Sequence, residues 1–362
     1  MPRELVAIES KKPVLREYEE KPLDEDEVRI KTEFSSPKHG TELYVYRGTS
    51  PFQDKEFSPA WRMFLPREGA TPLSPRPLGN MSVGTVVEVG RKVSRFKVGD
   101  KVYGHLPIRE TRTIRERGKG KSILGMGSRE RQIHILPKTM SPQEAVCLDP
   151  AHFALSAVRD ANVRIGTKVA IFGLGAIGLM AVQMVKLSGP ELVFASDPLS
   201  NRRNLAKKYG ADQLFNPAKC DVGFEMKKAT GKKGVDVAIE ISGSDAALHD
   251  AIRSVHYSGL VVTASFYHGR ANALRLGEEW HLNRITLRSS MPVWGNPSRD
   301  YPMWDDRRLE DTVFNLMRDK KLTADGMITP IYPFEKSAEA YEFINEHPDQ
   351  CIKLGITYQS RS

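Results

Sequence analysis

Three glycines after an apolar run are the residues of this chain whose spacing points most directly to chemistry. The run covers residues 168–172, and the turn reads Gly173-Leu174-Gly175-Ala176-Ile177-Gly178. In such a turn one glycine permits the tight bend, one lets the backbone approach a pyrophosphate, and one lets the next helix pack on its strand. The unpaired N–H groups and the positive dipole of the helix start then bind the phosphates. The pattern predicts a dinucleotide site.

An acidic residue lies at the expected distance from this turn. A second apolar run ends in Asp197, 19 residues after Gly178. A carboxylate here can accept both ribose hydroxyls of NAD and repels the 2′-phosphate of NADP. Arg202 and Arg203 qualify this preference, because either guanidinium could reach a 2′-phosphate or lie on a solvated helix face. We expect NAD rather than NADP. The predicted cofactor-binding residues are Gly173, Gly175, Ala176, Ile177, Gly178, Asp197, Arg202 and Ser242.

The amino-acid composition limits the classes of protein to which this chain can belong. The chain has 362 residues, 40% of them hydrophobic, which is enough for two domains with hydrophobic cores. The formal net charge of +9 is spread along the chain, apart from a basic stretch at 109–131. That stretch predicts a solvated loop or, as the alternative, a contact for an anionic substrate or a membrane surface. It lacks interleaved aromatic residues for base stacking, so we expect no nucleic-acid partner.

Cysteine usage and the N-terminal sequence point to a compartment. Cys147, Cys220 and Cys351 are too far apart for CxxC pairs or a disulfide framework. The first residues lack the apolar core of a signal peptide, and no run of 18 apolar residues occurs. We expect a cytoplasmic protein that does not insert into membranes.

The elements that must position the turn fall into two patterns. The first 150 residues indicate short β-strands, such as 27–31 and 83–90, separated by Gly and Pro. A helical pattern from Ala145 leads into alternating strands and helices, with later strands predicted at 235–240, 260–264 and 285–288. This alternation predicts an α/β fold with a doubly wound parallel Rossmann sheet. The tail, with helices near 309–320 and 337–345 and strands near 328–331 and 353–357, does not extend that sheet and should return to the first domain.

Several stretches together resemble the medium-chain dehydrogenase/reductase superfamily over nearly the whole chain. They are His39-Gly40-Thr41-Glu42, residues 82–90, residues 96–102, Asp149-Pro150, the glycine turn and Lys353. Within the superfamily, the Gly-Thr-Glu form and residues 276–284 resemble sorbitol dehydrogenase relatives and the bacteriochlorophyllide dehydrogenase branch.

The resemblance implies a domain organisation and an assembly. A discontinuous β-rich GroES-like catalytic domain at 1–155 and 292–362 would flank a Rossmann domain at 156–291, with the active site in the cleft between them. A homodimer or homotetramer would pair through the edge strand at 285–289. The implied partner is a small-molecule substrate.

The chain departs from the superfamily at its zinc ligands. The positions that resemble the three catalytic ligands hold His39, Asn80 and Asp149, and the four structural cysteines are missing. A tetrahedral catalytic zinc needs three good N, S or O donors, and asparagine is a poor one. We expect no metal, with an unusual site of His39, Asp149 and His152 as the alternative.

Without zinc, a base must take the hydroxyl proton as hydride leaves the carbon. His39 is the candidate, since an imidazole titrates near neutral pH. Asp149 could orient it, and Thr41 matches the superfamily's relay hydroxyl. The alternatives are a structural histidine, a turn threonine and, for Asp149, a helix N-cap before Pro150.

Two aromatic, proline-rich stretches give a hint about the substrate. They lie at 51–67, with Trp61, and at 292–304, with Trp294. Flat aromatic faces suit the C–H faces of a sugar or cyclitol ring, although such residues could also pin long loops or a dimer contact. The candidate substrate-binding residues are Asn80, Trp61, His152 and Trp294.

These features together predict an NAD-dependent dehydrogenase that oxidises a secondary alcohol of a sugar, cyclitol or other cyclic polyol to a ketone without zinc. Three alternatives stay open: a zinc-free enoyl or quinone reductase, a catalytically decayed dinucleotide-binding protein, and a chlorophyll-pathway dehydrogenase.

Overall fold

The computed structural model describes residues 1–52, 54–67, 75–116, 119–121, 128–130, 133–267, 269–292 and 303–359. The chain divides into two compact units, residues 1–146 with 327–362 and residues 147–326. The resemblance implies boundaries near 155 and 292 instead. The difference arises because a helix at each end of the second unit packs within that unit.

The first unit is built mainly from β-strands. Its strands are β1 (Arg3–Glu9), β2 (Lys12–Glu17), β3 (Glu27–Ser36), β4 (Lys55–Ser58), β5 (Met63–Pro66), β6 (Arg76–Pro77), β7 (Met81–Val89), β8 (Lys101–Gly104), β9 (Thr111–Arg115), β10 (Lys119–Lys121), β11 (Ser128–Glu130), β12 (Ile133–Ile135), β19 (Ile328–Pro333) and β20 (Lys353–Thr357). Its helices are α1 (His39–Tyr46), α2 (Pro142–Ala145) and α9 (Ser337–Glu346).

One seven-stranded sheet organises this unit. The strand order is β12-β8-β7-β3-β20-β19, and β9 also pairs with β3. Val28 and Ile30 of β3 alternate inward and pack on Val86 and Phe96, as expected of a strand with one buried face. A second core, with Leu5, Tyr341 and Leu354 among its members, lies beneath α1 and α9. Because β20 pairs with β3, the tail from β19 onward returns to the first domain, as the sequence predicts. The helix predicted near 309–320 does not return with it, because it lies in the second unit.

The second unit is an α/β fold. Its strands are β13 (Lys168–Phe172), β14 (Leu192–Ser196), β15 (Gln213–Phe215), β16 (Val235–Glu240), β17 (Val255–Thr263) and β18 (Thr286–Ser289). Its helices are α3 (Leu148–Asp160), α4 (Ala176–Leu187), α5 (Ser200–Lys208), α6 (Val222–Ala229), α7 (Asp245–Ser254) and α8 (Asp306–Arg318).

The six strands of this unit form one parallel sheet. Their order, β15-β14-β13-β16-β17-β18, is that of a dinucleotide-binding Rossmann fold. Strand β13 lies at the centre and is buried from Val169 to Phe172, which explains its unbroken apolar sequence. The predicted fold class is confirmed. Helix α8 packs on α3 through an apolar face that includes Leu309 and Val313, and therefore belongs to this unit.

Part of the basic stretch at 109–131 is a strand rather than a loop. Residues 111–115 form β9 and pair antiparallel with β3. Glu116, which follows, is buried and accepts hydrogen bonds from the backbone N–H groups of Ser94 and Arg95. Among the described residues, no helix has the length and the apolar character needed to cross a bilayer.

Candidate active site

The glycine turn lies between β13 and α4, at the carboxyl edge of the parallel sheet. Gly173 has a φ of +88°, and a Cβ there would lie 2.6 Å from the backbone nitrogen of Ser242. A Cβ on Gly178 would overlap the carbonyl oxygen of Gly173. At Gly175, by contrast, a Cβ would meet no atom within 4 Å. Two glycines therefore serve the close packing of the turn, and the third leaves open space above the start of α4.

Asp197 follows β14, and its side chain is hydrogen-bonded to the glycine turn. Its carboxylate is 4% exposed and accepts the backbone N–H of Leu174 at 2.8 Å and that of Leu199 at 2.9 Å. One hydrogen bond falls on each oxygen, so each oxygen keeps a lone pair for a further donor. Arg202 Nη1 lies 3.8 Å from Asp197 Oδ2, and Arg203 Nη1 donates to the Asp197 carbonyl at 2.6 Å.

Glu240 is a residue of this edge that the sequence reasoning missed. It ends β16, is fully buried, and accepts hydrogen bonds from the backbone N–H of Ser242 at 2.7 Å, from the Ser242 hydroxyl and from the Tyr267 hydroxyl. Burial raises the pKa of Glu240 above its ordinary value. The carboxyl fixes the segment that faces Gly173. Its signal in the sequence was an acidic residue ending a buried strand, as at Asp197.

His39 is the first residue of α1 and is half-buried in the first unit. Its Nε2 accepts the backbone N–H of Leu354 at 2.9 Å, and its Nδ1 lies 3.8 Å from the sulfur of Cys351. With Nε2 acting as acceptor, the ring proton of a neutral imidazole is on Nδ1. Thr41 is also half-buried, in the first turn of the same helix. The contacts of His39 link α1 to β20.

Glu42, one turn after His39, holds the segment that carries Asn80. Glu42 is buried and accepts the Tyr341 hydroxyl at 2.6 Å, the backbone N–H of Lys38 at 3.0 Å and the backbone N–H of Gly79. Burial raises its pKa, against the lowering effect of these hydrogen bonds. Asn80 is buried too, and its side-chain nitrogen has no hydrogen-bond partner among the described residues. The sequence resemblance included Glu42 but gave it no role.

Asp149 and His152 lie in the second unit, buried in α3. Asp149 is the second residue of the helix, and Cys147 occupies the N-cap position, so Asp149 is not an N-cap. This corrects the local alternative that the sequence offered for Asp149, because the helix starts two residues earlier than Pro150 suggests. His152 Nε2 lies 2.9 Å from Asp306 Oδ1 on α8.

Of the two tryptophans predicted to contact substrate, the structure describes only Trp61. Trp61 lies in the turn between β4 and β5 and is 73% exposed. Trp294 lies outside the described residues. Trp304, from the same aromatic stretch, is stacked against the guanidinium groups of Arg159 and Arg308, at 3.5 and 4.3 Å from its ring.

Comparisons of the chain with known proteins identify its family. The alcohol dehydrogenase GroES-like domain matches residues 24–140, and the zinc-binding dehydrogenase domain matches residues 176–304. D-guloside 3-dehydrogenase of Escherichia coli is 39% identical over 361 residues, which cover 98% of this chain and 100% of that protein. The chain belongs to the medium-chain dehydrogenase/reductase superfamily.

Further members share the length and the fold. L-threonine 3-dehydrogenase of Pyrococcus abyssi is 30% identical over 288 residues, 75% of this chain and 79% of that protein. The crystal structure of 2R,3R-butanediol dehydrogenase from Bacillus subtilis has a TM-score of 0.74 at 23% identity and covers 99% of both chains. The protein is an oxidoreductase that acts on CH–OH groups.

The donors at the positions that resemble the zinc ligands do not fit a catalytic zinc. His39 already gives Nε2 to a backbone N–H, and Asn80 offers a neutral amide in place of an imidazole or thiolate. We therefore derive no chemical step through zinc at these positions.

Proposed function

We propose that the protein oxidises a secondary hydroxyl group of a sugar, cyclitol or other cyclic polyol to a ketone, with NAD as hydride acceptor and without a catalytic zinc. The substrate class is supported by the relative that is 39% identical over the full length, whose name specifies oxidation at position 3 of a D-guloside. The choice of NAD as cofactor rests on one observation, that the buried carboxylate of Asp197 is hydrogen-bonded to the glycine turn.

The residues at the edge of the parallel sheet fit a dinucleotide. The open space at Gly175 suits the pyrophosphate, and so do the N–H groups of the first turn of α4, since the first turn of a helix has no acceptors for them within the helix. The remaining lone pairs of Asp197 suit the two ribose hydroxyls, and the same negative charge disfavours a 2′-phosphate. When bound, the nicotinamide accepts the hydride that leaves the substrate carbon.

The proton of the alcohol needs a separate acceptor. We propose His39, with Thr41 as the relay hydroxyl, because an imidazole is half-protonated near neutral pH. Uptake of a proton at Nε2 would break the hydrogen bond from the Leu354 N–H, so base catalysis requires the ring to rotate away from β20. The role of Asp149 in orienting the imidazole stays a prediction.

The decisive experiment pairs a substrate screen with two variants of His39. Polyols, cyclitols and glycosides are tested for NADH and NADPH production after chelator treatment. Loss of a general base lowers turnover by about 10²–10⁴-fold. We expect that loss in both His39→Ala and His39→Gln, while the glutamine, which keeps an acceptor for Leu354, preserves the melting temperature. Full turnover in His39→Gln would show that His39 is structural. Turnover that depends on added zinc would refute the metal-free proposal.

We also propose that the protein forms a homodimer or homotetramer through β18. This strand pairs with β17 on one side and is the outermost strand of its sheet in the described part of the chain, and we propose that its other edge pairs with a second copy. Light scattering of the wild type and of Leu287→Pro, which disrupts the edge, tests this. A monomeric wild type would end the proposal.

A further inference from the structure

Helices α3 and α8 bring three potential metal ligands together in the second unit. His152 comes from α3, while Asp306 and Glu310 lie one turn apart on the same face of α8. One ligand atom from each side chain lies within 4.8 Å of the other two. Capping of α8 does not require Asp306, because the side chain of Asp305 accepts the backbone N–H of Arg308 at 2.9 Å.

The imidazole of His152 supplies an independent observation. His152 is 4% exposed, and its Nε2 makes no hydrogen bond, although Asp306 Oδ1 lies only 2.9 Å away. Buried ring nitrogens are normally hydrogen-bonded. At this separation the Nε2 lone pair of His152 and the carboxylate oxygen of Asp306 can both serve as ligands of one cation.

We propose that His152, Asp306 and Glu310 bind one divalent transition-metal ion, of which Zn²⁺ is the best match. Zinc accepts imidazole nitrogen at 2.0–2.1 Å and carboxylate oxygen at 2.0–2.2 Å, so neighbouring ligands of a tetrahedron lie about 3.3–3.5 Å apart. The pair at 2.9 Å need open by only about 0.5 Å. Glu310 is exposed, which gives the ion an entry path, and water would complete the tetrahedron as fourth ligand.

This site shares no residue with the three positions that resemble the superfamily's zinc ligands, and it does not rest on the proposed function. Its effect would be to join α3 to α8. A second cluster, His249 with Glu278 and Glu279, has the same types of ligand and a less buried histidine. It therefore serves as the matched control.

The test titrates Zn²⁺ alone into chelator-treated full-length protein, in competition with a chromogenic zinc indicator. The wild type should bind one ion per chain. Glu310→Gln, an exposed change that leaves the packing intact, and His152→Gln should each weaken binding by about tenfold or more, because each removes a ligand. His249→Gln and His39→Gln should bind as the wild type does.

Three results would overturn the proposed site. The first is a wild type that takes up no zinc at micromolar concentration. The second is zinc binding that survives in both Glu310→Gln and His152→Gln, and the third is zinc binding that is lost in His39→Gln or His249→Gln, since in either case the ion would lie elsewhere. A Co²⁺ absorption spectrum that changes in Glu310→Gln gives a readout that does not depend on the stability of the variant.

Discussion

Replacing Asp197 by asparagine should reverse much of the preference for NADH over NADPH. The substitution keeps the shape of the side chain and removes its charge. In the structure the carboxylate accepts two backbone N–H groups, from Leu174 and Leu199, and is 4% exposed. The side-chain amide of the variant retains one oxygen acceptor and turns an NH₂ group toward the other donor. Both the turn and the ribose hydroxyls therefore lose a charged partner.

The size of the effect follows from these contacts. Hydrogen bonds to a charged group contribute about 1.5–3 kcal/mol, so losing them from the ribose should weaken NADH binding by roughly 10–150-fold. For NADPH the carboxylate repels the 2′-phosphate, by about 3 kcal/mol per charge pair at about 5 Å and an effective dielectric constant of about 20. Arg202, whose Nη1 lies 3.8 Å from the Asp197 carboxylate, adds a positive charge at this position, so removal of the carboxylate favours the 2′-phosphate further. The NADH to NADPH affinity ratio should fall by about 100-fold or more.

Fluorescence titration of both cofactors at one fixed ionic strength measures this ratio. Asp212→Asn is the matched control, because Asp212 accepts the backbone N–H of Val193 at 2.7 Å near the opposite end of the same strand, β14. The control should leave the ratio unchanged. An unchanged ratio in Asp197→Asn, or an equal change in Asp212→Asn, would refute the assignment of Asp197 to the ribose.

Three further predictions concern the turn, a buried carboxyl and an ion pair. Gly175→Ala should leave the free energy of unfolding nearly unchanged and weaken NADH binding by about tenfold or more, because its Cβ meets no atom within 4 Å and would fill the space assigned to the pyrophosphate. Gly173→Ala should lower the free energy of unfolding in urea by about 2–3 kcal/mol, since φ is +88° there and the Cβ clashes with the backbone. An equal loss of stability in Gly175→Ala and Gly173→Ala would contradict the roles assigned to the two glycines. Burial raises the pKa of Glu42 in the folded protein, so its contribution to stability is complete below the unfolded pKa and is lost as pH rises through the folded pKa. The melting temperature of the wild type should therefore fall between pH 5 and pH 8, and this fall should be smaller in Glu42→Gln. A fall as steep as in the wild type would contradict this. Arg253→Met should cost about 1 kcal/mol at pH 7, because Arg253 donates to both oxygens of Asp221 at 2.7 and 2.8 Å. That cost should shrink below pH 4, since Arg253 lowers the pKa of Asp221 and the pair is lost as Asp221 is protonated; an undiminished cost in acid would show that packing dominates.

The parallel sheet was readable from the sequence because its signals are local. The strands predicted at 235–240 and 353–357 coincide with β16 and β20, where apolar runs are bounded by polar or glycine residues. Strand β17 begins at Val255, five residues before its predicted start, because its polar first half contains no apolar run. The apolar face of α8 predicts burial, but no local pattern indicates that the face packs on α3. The domain boundaries therefore depend on contacts that a pattern of residues does not contain.

The site residues show the same division. Spacing from strand ends identified Gly173, Asp197 and their neighbours, since the carboxyl ends of parallel strands converge. Spacing could not show that the ring of His39 meets Leu354, 315 positions further along the chain. Nor could it show that Asp306 lies beside His152. Both contacts are made by side chains from elements that are distant in sequence, and both change what the histidine can do.

The hydrogen bonds around α1 bear on how the site, which we propose to be free of zinc, would keep its shape. A bound metal holds ligands from several elements in one place, and its loss would leave those elements to drift. In the first unit, Glu42 instead joins α1 to Gly79 and to Tyr341 of α9, and His39 joins α1 to β20. Glu42, Tyr341 and Leu354 are buried, so removing the partner of any of them leaves an unsatisfied buried group. In our proposal this network takes the place of the metal in positioning α1, which carries His39 and Thr41. It also sets the cost of catalysis by His39, because the imidazole must leave one of these bonds to take up the proton.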